Sequence, residues 1–208
     1  MGKLKNIKVI LFDLGGVLLE LRDPISTFRL DIDASEFLRI WIMSPSVRAL
    51  ESGQITSKDF AQRIVDEMEL PMDWQELLRR FDSWPAKIYP RAIDLIDRIP
   101  SNLACAILSN TNAVHWERID VPGNFGDRFD RYFLSYESGL LKPDRESFLQ
   151  VSTDYDCRPE EILFFDDNPV NVAAAKKESI NAVCVKGVEE LETALINNGV
   201  VEALQGRL

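Results

Sequence analysis

Histidine and cysteine are scarce: the chain has one histidine and three cysteines in 208 residues. Cys105, Cys157 and Cys184 lie far apart, and none has a CxxC or histidine-rich neighbourhood. A zinc site or redox pair is therefore unsupported, and buried, reduced thiols are expected. Long apolar runs are also missing, since no stretch reaches the roughly 20 residues a membrane span needs. The opening Met-Gly-Lys-Leu-Lys-Asn carries no secretory signal, and Asn6 stands where N-myristoylation of Gly2 would want Ser or Thr. Positive charge is the third shortage. The 24 Lys and Arg face 34 Asp and Glu, giving a formal net charge of −10. Such a surface repels phosphate backbones and anionic lipid, so neither nucleic acid nor membrane is an expected partner. A small anionic substrate stays open, because a basic group or metal can reverse the field inside a cleft. The expectation is a soluble, cytoplasmic protein.

What is present is a rhythm. Segments 9–12, 103–108, 132–134, 162–165 and 182–185 are apolar runs too short for core helices and read as buried strands. Helix-length patterns follow at 144–155, 169–177 and 188–197, and Ala92, Leu95, Ile96 and Ile99 form a further helical stripe. Alternating strands and helices predict an α/β fold: a doubly wound, Rossmann-like parallel sheet. Residues 22–89 break the rhythm and read as wholly helical. Thr56 and Asp59 form a capping-box start, and Asp73 can cap a helix carrying Trp74, Leu77, Leu78 and Phe81. A core from residues 1–20 and 90–208 with an inserted helical cap at 21–89 fits better than a structureless loop of that length.

Ligand sites in open α/β sheets lie beyond the carboxyl ends of the strands. Asp13, Ser109, Lys142 and the pair Asp166-Asp167 all fall at such ends. Singly, each is more often a turn or cap residue; four at one sheet edge make a consistent chemical set. Converging carboxylates repel one another, and a divalent cation with hard oxygen ligands, such as Mg²⁺, removes that conflict. One carboxylate can attack phosphorus, while a hydroxyl, a backbone N–H and an ammonium hold the transferring oxygens.

The strings Asp-Leu-Gly-Gly-Val, Ser-Asn-Thr-Asn, Leu-Lys-Pro and Phe-Phe-Asp-Asp-Asn make the chain resemble the haloacid dehalogenase superfamily of aspartate-nucleophile phosphatases. They are similar in particular to the branch containing bacterial glucose-1-phosphate phosphatases. The resemblance implies Asp13 as nucleophile and Mg²⁺ ligand, and Ser109 and the Asn110 backbone as phosphate binders. It implies Lys142 paired with phosphate and nucleophile, and Asp166 and Asp167 holding the metal, with Asn168 and Asn171 shaping the loop behind. Many members carry a second Asp two residues after the nucleophile as general acid; here that position is Gly15, which can offer the metal a carbonyl but no proton.

The implied function is Mg²⁺-dependent hydrolysis of a small phosphorylated metabolite through an aspartyl-phosphate. A sugar phosphate, and within that class a sugar-1-phosphate, suits an enzyme lacking that acid, because the anomeric oxygen leaves more readily than a simple alkoxide. The alternatives are 2-haloacid dehalogenation by the same Asp and a catalytically weak sugar-phosphate-binding regulatory protein. A monomer or homodimer is expected. His115 or a cap residue would have to supply a proton, although a structural role is the simpler reading for His115. Arg48 is carried as a substrate-binding candidate: it and Glu51 occupy a cap turn that in similar proteins leans over the site and could read a sugar hydroxyl, with a solvated Arg48–Glu51 ion pair as the plainer alternative. The tryptophans read as packing residues.

Overall fold

The computed structural model describes residues 6–203, apart from the side chain of Leu38. The leader and lipidation expectations on Met1–Lys5 lie outside these residues. The chain begins with β1 (Val9–Phe12) and β2 (Leu19–Leu21), then five helices: α1 (Pro24–Phe28), α2 (Ala34–Met43), α3 (Pro45–Glu51), α4 (Ser57–Glu67) and α5 (Trp74–Ser83). After β3 (Pro85–Ile88) come α6 (Ala92–Ile96), β4 (Ala104–Ser109), α7 (Ala113–Ile119), α8 (Val121–Phe125), β5 (Arg131–Leu134) and α9 (Ser135–Ser138). The chain continues through α10 (Arg145–Asp154), β6 (Ile162–Asp166), α11 (Pro169–Lys177), β7 (Asn181–Cys184) and α12 (Gly187–Asn197).

Five strands form one parallel sheet in the order β5-β4-β1-β6-β7. Every residue of β1 and β6 is buried, which is why these strands are continuous apolar runs rather than alternating ones. Side-chain alternation serves two layers. Ile10 and Phe12 join Ile107 and Phe165 on one face, whereas Val9 and Leu11 join Ala106 and Phe164 on the other. Helices cover both faces, as expected for a doubly wound sheet.

Between β2 and β3, α1–α5 enclose their own cluster of Phe28, Phe37, Trp41, Phe60 and Phe81. Thr56 and Asp59 form the capping box of α4, and Asp73 accepts the Glu76 N–H at the start of α5. A cap is worth about 1 kcal/mol and a buried aromatic about 1.5–3 kcal/mol, so the aromatic cluster dominates and the caps set the helix starts.

The all-helical expectation for 22–89 needs one correction. Pro85–Ile88 is a strand, paired antiparallel with β2 through Leu19↔Ile88 and Glu20↔Lys87. Pro85 lacks the N–H that would extend α5, and an edge strand tolerates that loss. The thiol expectation also needs amending: Cys105 is buried, but Cys157 is half-buried and Cys184 exposed. No helix among the described residues is long and apolar enough to cross a membrane.

Candidate active site

The sheet register assembles the site. Phe12 is level with Phe165, so the next residues, Asp13 and Asp166, emerge side by side, and the Asp13 N–H donates to the Phe165 carbonyl at 2.8 Å. Ser109 ends β4 on the other flank of β1. Carboxylate oxygens of Asp13, Asp166 and Asp167 lie within 4.8 Å of one another. Lys142 reaches into this group from the loop after α9, its Nζ 2.8 Å from Asp13 Oδ1 and 2.7 Å from Asp166 Oδ2. Both Lys142 and Asp166 are almost wholly buried, at 3% and 0% exposure.

Each of these groups is held by others. Asp166 accepts the Asn168 N–H at 2.8 Å and both its oxygens take the Asn171 amide at 3.1 Å. The Asn171 side chain thus orients Asp166, whereas the Asn168 side chain caps α11 by accepting the Val170 N–H at 2.9 Å. The Asn110 side chain is engaged with the Lys142 backbone in both directions, at 2.9 Å each way. Ser135 Oγ accepts the Thr111 N–H at 2.9 Å and Asn112 caps α7, a scaffold that sequence reading missed. Gly16, at φ +73°, is a position only glycine can fill, because a Cβ there would lie 2.2 Å from Asp167 Oδ2.

Electrostatically the cluster is short of positive charge. Burial, together with Asp166 and Asp167, pushes the Asp13 carboxyl up to about 8 against the opposing pull of Lys142. Burial and Asp166 raise Asp167 to about 6. Asp13 and Asp166 in turn hold the Lys142 ammonium above its ordinary range, despite its burial. Three carboxylates against one ammonium leave a deficit that a divalent cation with oxygen ligands matches.

Above the floor opens a cleft of about 540 Å³ between the sheet edge and α1–α5. Its walls include Leu19, Leu21, Phe37, Trp41, Trp84 and Trp116. The packing role expected for the tryptophans holds for Trp41 and Trp84, which meet edge-on at 5.0 Å, yet they also face the cleft.

Arg48 and Glu51 line the cleft but do not make the solvated pair weighed from sequence. Arg48 instead bonds Asp144, two residues beyond Lys142, at 2.5 Å. Glu51 stands beside Lys142, Asn110 and Trp41, and burial pushes its carboxyl up to about 7. His115 is fully engaged. Its Nε2 must carry the hydrogen donated to the Phe81 carbonyl at 2.8 Å, which leaves Nδ1 to accept the Asn112 amide at 3.1 Å. Burial lowers the ring to about 4, so it is neutral at pH 7 and poorly placed to give a proton away.

A curated relative, a D-ribitol-5-phosphate phosphatase from Bacteroides thetaiotaomicron, is 28% identical over 181 residues, covering 82% of this chain and 88% of the relative. A sesquiterpene phosphatase from Aspergillus oryzae is 26% identical over 174 residues, covering 82% and 86%. Among solved structures, a haloacid dehalogenase family enzyme from Bacteroides thetaiotaomicron in complex with magnesium and inorganic phosphate superposes with a TM-score of 0.67. It is 28% identical, and the match covers 86% of this chain and 94% of that one. Residues 7–177 match the haloacid dehalogenase-like hydrolases, spanning β1, the helical insertion and all but the last of the parallel strands, and the chain belongs to that family.

Proposed function

We propose that the protein is a Mg²⁺-dependent phosphatase that hydrolyses a small phosphomonoester through an aspartyl-phosphate on Asp13. The observation that carries this reading is Lys142 bridging Asp13 and Asp166 beside the third carboxylate of Asp167. In this reading Asp13, Asp166, Asp167 and the Gly15 carbonyl hold the metal. Bound Mg²⁺ offsets the carboxylate repulsion and supplies positive charge for the phosphoryl oxygens. Lys142 neutralises and aims Asp13, so that the carboxylate is ionised and directed when phosphorus arrives. The Ser109 hydroxyl and the Asn110 N–H hold phosphoryl oxygens as negative charge moves onto them. Arg48, at the cleft wall, contacts the alcohol half of the ester. Residues 21–89 act as a cap that limits substrate size and excludes bulk water.

A sugar phosphate, with a sugar-1-phosphate first among them, is the substrate class drawn from Gly15, and the ribitol phosphate relative supports a polyol ester. A second class is favoured by the apolar and aromatic cleft walls, namely the phosphate of an apolar alcohol, in keeping with the sesquiterpene phosphatase relative. Dehalogenation fits less well, since carbon substitution creates no phosphoryl charge for a metal at three carboxylates to neutralise. The test is phosphate release from sugar-1-, sugar-6-, prenyl and aryl phosphates, with Mg²⁺ or EDTA. Turnover that needs Mg²⁺ supports the phosphatase reading and the preferred ester names the class. Metal-independent chloride release from 2-chloropropionate, without phosphate release, supports the dehalogenase. Saturable ester binding without release of either supports the regulatory alternative.

A further inference from the structure

The phosphatase reading leaves one role unfilled, the acid that protonates the departing oxygen. Gly15 has no side chain, and a Cβ added there would lie 3.2 Å from Leu21 Cδ1, so the place of the missing carboxylate is already taken by an apolar side chain. His115 is committed through both ring nitrogens. Lys142 is held between Asp13 and Asp166. Glu51 remains. It ends α3 and lines the same cleft as Asp13, Ser109 and Lys142.

Two contacts fix α3 over the sheet edge. One turn before Glu51, Arg48 bonds Asp144 in the loop that carries Lys142. Two residues after Glu51, Gly53 at φ +73° lies against α9, where a Cβ would sit 2.3 Å from the Tyr136 carbonyl oxygen. Glu51 is therefore held between two contacts that join α3 to the sheet domain, Arg48 to Asp144 and Gly53 against Tyr136. The charged groups facing it are Lys142 and Arg48, and the latter is already paired with Asp144. Both favour the carboxylate, but desolvation in the cleft outweighs them, and with a pKa of about 7 the group can give and take a proton near neutral pH.

We propose that Glu51 is the general acid and base of the reaction, supplied by the insertion in place of the carboxylate that Gly15 lacks. The proposal rests on the aspartyl-phosphate reading. In the first half, the bond from phosphorus to the alcohol oxygen breaks as an Asp13 oxygen bonds phosphorus. The Glu51 proton passes to the departing oxygen and neutral alcohol leaves. In the second half, the Glu51 carboxylate takes a proton from water as the water oxygen bonds phosphorus and the Asp13–phosphorus bond breaks. Inorganic phosphate leaves, with Asp13 free and Glu51 protonated again.

The test compares kcat/KM for 4-nitrophenyl phosphate, whose leaving oxygen needs little help, with that for a primary alkyl phosphate. Measurements use wild type, Glu51→Gln and Glu51→Asp with saturating Mg²⁺. Glu51→Gln is expected to lose about 10²–10⁴-fold on the alkyl ester and less than about tenfold on the nitrophenyl ester. Glu51→Asp, keeping a carboxyl at shorter reach, is expected to recover part of the alkyl rate. Equal losses on both esters, or an unchanged alkyl rate, would overturn the proposal while leaving the phosphatase reading standing. Should Glu51→Gln fail to fold, the decision passes to Glu51→Asp: an alkyl-selective loss supports the role, and equal losses refute it. If the wild type releases phosphate from neither ester nor from any sugar or prenyl phosphate of the panel above, the phosphatase reading falls and the proposal with it.

Discussion

His115 shows how little a residue type says before its neighbours are known. It is the one histidine in the chain and lies at the cleft, yet both nitrogens are satisfied by Asn112 and the Phe81 carbonyl. Burial holds its pKa near 4, below the ordinary 6.5, so the unfolded chain binds its proton more tightly than the folded one. Its stabilising contribution is complete above about pH 6.5 and is lost as the pH falls towards about 4. The Tm advantage of wild type over His115→Gln is therefore expected to shrink as the pH falls from 7 to 4, whatever the other groups contribute to both proteins. Equal slopes in the two proteins would remove His115 as a cause. The chemistry-bearing positions were legible in sequence for a different reason. Asp13, Ser109 and Asp166 each stand at the end of an apolar run, where a buried parallel strand reaches the sheet edge. In sequence Glu51 is marked only as a cap-turn residue that could read a sugar hydroxyl, because its place beside Lys142 and Asn110 depends on how α3 meets the sheet edge.

At the scale of elements, the parallel strands follow from local pattern, and most helices among the described residues begin at a capping side chain, several with a proline in the first turn. Pro169 opens α11 with Asn168 accepting the Val170 N–H, and Thr56 opens α4. β3 was illegible, because Pro-Ala-Lys-Ile becomes a strand only by pairing with Leu19–Leu21, more than sixty positions earlier. The Arg48–Asp144 bond joins residues 96 positions apart and was equally hidden. The turn after α3 depends most on a single residue. Gly53→Ala meets both a positive φ and the Tyr136 carbonyl, and such strain costs on the order of 1–3 kcal/mol. For a chain of this size that lowers Tm by roughly 2–12 °C, at about 2–4 °C per kcal/mol. The same variant should lose turnover as α3 is pushed from the sheet edge. An unchanged Tm together with unchanged turnover would show that this contact neither strains the turn nor positions α3.

The whole molecule carries a conflict at its centre. Asp13 and Asp167 are raised to about 8 and about 6, so the folded chain holds their protons more tightly than the unfolded chain does. The stability from the protonated forms is complete below about pH 4 and is lost as the pH rises through these two values. Metal-free protein is expected to melt progressively lower from about pH 5 to about pH 9 on this account, with Mg²⁺ restoring Tm most at the alkaline end, as any native-state ligand does. Asp167→Asn should shrink the Mg²⁺ shift, and a full shift in that variant would remove Asp167 from the metal set.

Such melts report binding, whereas the central proposal concerns a covalent bond on Asp13. The direct measurement is mass spectrometry of enzyme acid-quenched during turnover with Mg²⁺ and excess 4-nitrophenyl phosphate. One phosphoryl group is expected on the peptide containing Asp13. None is expected in Asp13→Asn, which should fold, since the amide has nearly the same volume, but should release no phosphate because it cannot form the acyl-phosphate. Phosphate release by Asp13→Asn at more than a few per cent of the wild-type rate, or a phosphoryl group mapped to any other residue, would contradict the assignment.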